Sequence, residues 1–208
     1  MTDRLRPHWD FGDLDATEER FRSLLATEAT ASGRAEVLTQ LARIEGLREN
    51  FDAGERLVDE AARTASAAVA AIRVDLERGR LRRSSGDKEA ALPLFESAFW
   101  RALDADEDWL AADAAHMCAL AAPSKNAFVA WTNRGIELAE ASEAAAYWLG
   151  PLLNNLGWEH FDAGEHEQAL AAFERALAAR EREPEKVAEI EAARQAVAEA
   201  RNALGRDR

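Results

Sequence analysis

The chain has 208 residues, 48% of them hydrophobic, and a formal net charge of −13, which suits one domain or one short repeat array. That charge argues against a nucleic-acid or anionic-membrane partner, because such surfaces are held by Lys and Arg. Ala, Leu, Glu and Arg dominate and no run alternates at period two, which excludes a β-rich fold.

Residues 1–14 read as an N-terminal arm containing WDFGD, with Trp9 placed to fold back onto the helices. A leading helix is expected at about 15–31. A first helix pair spans about 35–68, with Leu38, Leu41 and Ala42 facing Val58 and Ala61, and Gly54 as a small contact residue. A second spans about 72–105: Gly79 lies in its first helix, Gly86 in the turn, and Ala91, Phe95 and Ala98 in its second helix. A third, about 107–141, joins DWLAADAAHMCALAA to AFVAWTNRGIELAEAS through PSKN, and its second helix has irregular anchors. The fourth, about 150–183, has the clearest pattern. Leu153, Leu156, Gly157 and Phe161 are spaced at i, i+3, i+4, i+8, Gly164 ends the helix, and Ala169, Phe173 and Ala176 lie in its partner helix. Residues 184–204 read as a capping helix with one apolar stripe, including Val187, Ile190, Val197 and Leu204.

The pentapeptide FDAGE occurs at 51–55 and at 161–165, but not in equivalent places. Aligning the copies would put Asp59, Arg63 and Ser66 in a core. Shifting the frame by five lets Phe51 open a second helix, whereas Phe161 closes a first one.

The helix pairs resemble tetratricopeptide repeats, helix–turn–helix units of about 34 residues. Leu153, Leu156, Gly157, Ala169, Phe173 and Ala176 carry the match, and Gly79, Gly86, Ala91, Phe95 and Ala98 repeat it. WDFGD, DAAHM and WLGPLLNNLGW are similar to a group of stand-alone bacterial tetratricopeptide proteins of about this length. The resemblance implies an all-α, right-handed superhelix of antiparallel helix pairs, about ten helices in one domain. It also implies a concave groove exposing Arg43, Arg73, Arg80, Arg83, Asp113, His116, Asn154 and Trp158.

Residues 73–83, RVDLERGRLRR, hold five arginines against two acids. Arginine forks bind carboxylates in bidentate fashion, so the first expectation is a non-catalytic scaffold for an acidic peptide or a chain terminus. Arg43, Arg73, Arg80 and Arg83 would clamp, Asn154 would hold backbone, and Trp158 would wall the groove. The alternative is a small-molecule or catalytic pocket around Asp113, His116, Asn154 and Trp158. Asp113 and His116 stand three apart on one helix, as a carboxylate–imidazole pair requires, yet no Ser or Cys is placed as a nucleophile. A third expectation is a homodimer through the alanine-rich end helix. No Walker loop, GxGxxG after a strand, CxxC or HExxH is present, so neither cofactor nor metal is expected. One cysteine, Cys118, and the lack of an apolar h-region or an 18-residue apolar run suggest a soluble cytoplasmic protein. Residues 1–13 either leave the groove open or fill it.

Overall fold

The computed structural model describes residues 3–206. Ten α-helices succeed one another: α1 (Leu14–Thr27), α2 (Ala31–Leu47), α3 (Phe51–Thr64), α4 (Ala68–Ser84), α5 (Lys88–Asp104), α6 (Asp108–Ala121), α7 (Lys125–Ala141), α8 (Leu149–Asp162), α9 (His166–Arg180) and α10 (Val187–Arg206). Among the described residues there is no strand, and no helix is long and apolar enough to cross a membrane.

Short polar punctuation sets the helix ends. The side chains of Asp13, Thr30, Asp87 and Ser124 each accept the backbone N–H three residues on, at the starts of α1, α2, α5 and α7. Each such cap is worth about 1 kcal/mol. Gly86 and Gly164 take φ of +98° and +74° in the α4–α5 and α8–α9 turns, where a side chain would be strained.

The helices pack as an α-solenoid: α2 on α3, α4 on α5, α6 on α7 and α8 on α9, with α1 against α2 and α10 against α9. Further contacts join α2 to α4 and α4 to α6, so the first helices of the first three pairs form one wall. Small residues permit the closest crossings. A Cβ at Gly79 would lie 2.5 Å from the Phe95 ring, and one at Gly157 would lie 2.4 Å from the Phe173 ring. The two FDAGE copies part as their frames require: Phe51 opens α3, whereas Asp162 ends α8 and Gly164 makes the turn. In the third pair Ala115 and Gly135 provide the close approach of α6 and α7, and a Cβ on Gly135 would also press on Leu152 of α8.

The arm is part of this packing. It makes a 3-10 turn at Arg6–His8, and Leu5 is buried with Phe21, Val37, Leu41 and Ile44 from α1 and α2. Trp9 stacks on Phe11 at 4.7 Å between ring centroids and meets Phe21 edge-on.

Candidate functional site

The wall formed by α2, α4 and α6 is lined with ion pairs, and the arm lies across it. Arg73 on α4 donates to Asp3 of the arm at 2.6 Å and to Glu36 of α2 at 3.3 Å. Arg4 also donates to Glu36, at 3.2 Å, and to Glu28 at 3.1 Å. Further along the wall, Arg80 donates to Glu77 on its own helix and to Asp113 on α6. Arg43 on α2 approaches Glu77 only to 3.9 Å. Its guanidinium lies 5.3 Å from the centre of the Trp9 ring and 5.5 Å from that of Phe11. The Trp9 indole N–H in turn donates to Gln40 at 2.9 Å. Arg6 donates to the Tyr147 hydroxyl at 3.3 Å and stacks over the Tyr147 and Phe11 rings.

Burial sets the electrostatics. It pushes the Glu77 carboxyl above the usual carboxylate range, against the pull of Arg80 and Arg43. Burial pushes Asp113 the same way, but there Arg80 and Arg43 outweigh it, and its carboxyl is held below the usual range. Arg80, flanked by both acids, is held firmly in its charged form, whereas burial and the nearby Arg80 charge lower Arg43. Burial also lowers His116 to about 4, despite the neighbouring Asp113 carboxylate. His116 is therefore neutral near pH 7. Its Nε2 accepts from the Asn155 amide at 3.0 Å, its ring lies 5.3 Å from that of Trp148, and its Nδ1 is buried without a partner.

The structure thus brings Arg43, Arg73, Arg80 and Asp113 to one face, with His116 one turn beyond Asp113. It does not assemble the others there. Arg83 donates to the Leu120 carbonyl at 3.3 Å, which ties α4 to the last turn of α6. Trp158 packs edge-on against Phe161 and Phe173 in the cluster that joins α8, α9 and α10. Asn154 is half-buried on α8, and it is Asn155, one residue on, that meets His116. Asp113 and His116 each answer to another partner, so the carboxylate does not orient the imidazole as a general base would need. Cys118 is buried, and burial pushes its thiol well above the ordinary range. Among the described residues, no group of three His, Cys, Asp or Glu side chains converges as a metal site.

Sequence reasoning missed the acids Asp3, Glu36 and Glu77, and the aromatic wall of Trp109, Tyr147 and Trp148. Glu77 had a visible signal: it stands four after Arg73 and three before Arg80, at helical ion-pair spacing. A cavity of about 50 Å³ lies between the arm and this wall, bounded among others by Phe11, Arg43, Glu77, Trp109, Tyr147 and Trp148. A second, of about 200 Å³, opens beside it and shares Asp3, Arg73 and Trp109. Compared with known proteins, the chain matches no family model and no curated protein.

Proposed function

We propose that this chain is a tetratricopeptide-like docking scaffold whose groove takes an extended segment bearing a carboxylate and an aromatic side chain. The observation that carries this reading is the arm itself. Asp3 supplies a carboxylate to Arg73, Leu5 fills an apolar socket, and Trp9 reaches Gln40 while lying against Arg43. The arm behaves as an internal occupant, and its contacts describe the chemistry of a partner that would take its place. Charge-assisted contacts such as Asp3 to Arg73 fix register, while the aromatic anchor supplies apolar burial. Asp113 and His116 serve this role as framework, the first by holding Arg80 and the second by linking α6 to α8. The role is non-catalytic, and the single cysteine together with the acidic surface suits a reducing, cytoplasmic setting.

A labelled peptide copying residues 3–13 provides the test, read by fluorescence anisotropy. The full chain carrying Asp3→Asn and Trp9→Ala, which loosens its own arm, is expected to bind the peptide saturably. The unmodified chain is expected to bind it about tenfold more weakly or less, because its arm competes at high effective concentration. Adding Arg73→Gln to the loosened chain should abolish the gain. Failure of the loosened, folded chain to bind the peptide would overturn the docking role.

A further inference from the structure

The cavity under the arm poses a question that the arm does not answer. The carboxylates that line it are paired: Asp3 with Arg73, and Asp113 and Glu77 with Arg80. Two of the cations that line it are held only loosely. Among the described residues Arg43 donates no hydrogen bond, and its nearest carboxylate oxygen is 3.9 Å away on Glu77. Arg6 meets only the Tyr147 hydroxyl and two aromatic faces, with no carboxylate partner among the described residues. Both guanidinium groups lie against the Phe11 ring, 5.4 Å from its centre for Arg6 and 5.5 Å for Arg43. Trp148, only 8% exposed, lines the same cavity, and its indole N–H is buried without an acceptor. Glu77, 2% exposed, leaves its Oε2 buried and unpartnered.

An unmatched buried donor is costly, and here the Trp148 N–H shares a cavity with two partly exposed, loosely held cations, which together ask for an acceptor carrying negative charge. We propose that the chamber beneath the arm binds a small monocarboxylate, held by Arg43 and Arg6 with the Trp148 indole N–H as a further donor. The planar carboxylate suits the guanidinium fork. At about 50 Å³ the chamber is small, which restricts it to an acid of a few heavy atoms. Glu77 and Asp113 beside it disfavour a second negative charge, so a phosphate dianion suits the chamber poorly. Trp109, Tyr147 and Trp148 also line the chamber and give it an apolar side. Arg6 belongs to the arm, so the chamber exists only while the arm is seated; the two readings stay distinguishable because the peptide test uses a loosened arm and the test below uses the unmodified chain.

The test is calorimetry on the full chain at fixed ionic strength, with propionate as the probe and propionamide as its uncharged counterpart. Propionate is expected to bind saturably, and propionamide at least about tenfold more weakly, the loss expected when a charge-assisted hydrogen bond is removed. Arg43→Gln should reduce propionate affinity by at least about tenfold and Arg43→Lys by less, with the fold of each checked by circular dichroism. Trp148→Phe keeps an aromatic ring and removes the donor, and a loss of several-fold is expected. Equal responses to propionate and propionamide, which a chamber holding water alone would give, overturn the proposal. So does unchanged affinity in Arg43→Gln or, should that variant unfold, in Trp148→Phe. A trialanine peptide with a free C-terminus is run beside its amidated form. If the free form binds where propionate does not, the small-acid assignment falls and a peptide terminus takes its place.

Discussion

The two ends of the solenoid are held together by different physics. At the arm end, α2, α4 and α6 meet through arginines shared between buried acids: Arg73 between Asp3 and Glu36, and Arg80 between Glu77 and Asp113. At the other end, α8, α9 and α10 meet through Phe173, Ala169, Ala196, Val197 and Ala200, bordered by Trp158 and Phe161. Ion pairs near it, such as Arg175 of α9 with Glu140 of α7, lie on the surface at 52% exposure for each partner. Apolar contacts are non-directional and tolerate sliding. Buried ion pairs are geometrically exacting and cost several kcal/mol per ion to desolvate. A repeat array stable by apolar packing alone has little use for such a network. Its place under the arm marks the part of the molecule where position and charge matter, in keeping with the docking role proposed for it.

The largest effects should come from removing the key member at each end. Arg80→Ala would leave Glu77 and Asp113 buried without their shared cation, and a loss of about 3–5 kcal/mol is expected by urea unfolding. Phe173→Ala should cost a similar amount, about 3–5 kcal/mol, through the cavity it leaves. The two differ in their response to acid. The Arg80→Ala loss should shrink as pH falls toward the carboxylate range, because protonation relieves the stranded charge, whereas the Phe173→Ala loss should not. Equal pH dependence of the two would erase the distinction between the ends.

A smaller and more specific effect is expected at His116. Its folded pKa of about 4 lies below the ordinary value of 6.5. Above pH 6.5 both the folded and the unfolded chain hold it neutral, and its contribution to stability is constant. As pH falls from 6.5 to about 4 the unfolded chain takes up a proton that the folded chain refuses. Stability therefore drops across that window, by on the order of 3 kcal/mol in full. His116→Gln should flatten this limb of the stability profile. A profile identical to that of the unmodified chain would show that His116 titrates normally. The smallest effect should come from Arg175→Ala, under about 1 kcal/mol and less at high salt, because its pair with Glu140 is exposed.

Much of the solenoid was legible in the sequence because its signals are periodic. Gly79 with Phe95, and Gly157 with Phe173, are small–large pairs at fixed offsets, and spacing alone places one over the other. Gly54 could be assigned to a second helix because the alternative frame buried Asp59 and Arg63. The site was only half legible. The tetratricopeptide resemblance put Arg43, Arg73, Arg80 and Asp113 along one groove, and helical register put Arg73 and Arg80 on one face of their helix. Their partners Asp3 and Glu36 lie on other elements, and no period in the chain relates them. A groove reading therefore saw free arginines where the structure has shared ones. Asn155, rather than Asn154, meets His116, a one-residue step that turns the side chain by about 100° around the helix. Trp158 was read as groove wall because it stands next to Gly157, yet two neighbouring phenylalanines draw it into the last cluster.

The most direct measurement is a double-mutant cycle between Asp3 and Arg73, by denaturant unfolding of Asp3→Asn, Arg73→Gln and the pair. With both side chains buried and 2.6 Å apart, a coupling on the order of 1–3 kcal/mol is expected. Additive losses with no coupling would mean that the arm does not seat its carboxylate in the groove, and the arm could then no longer stand for the partner.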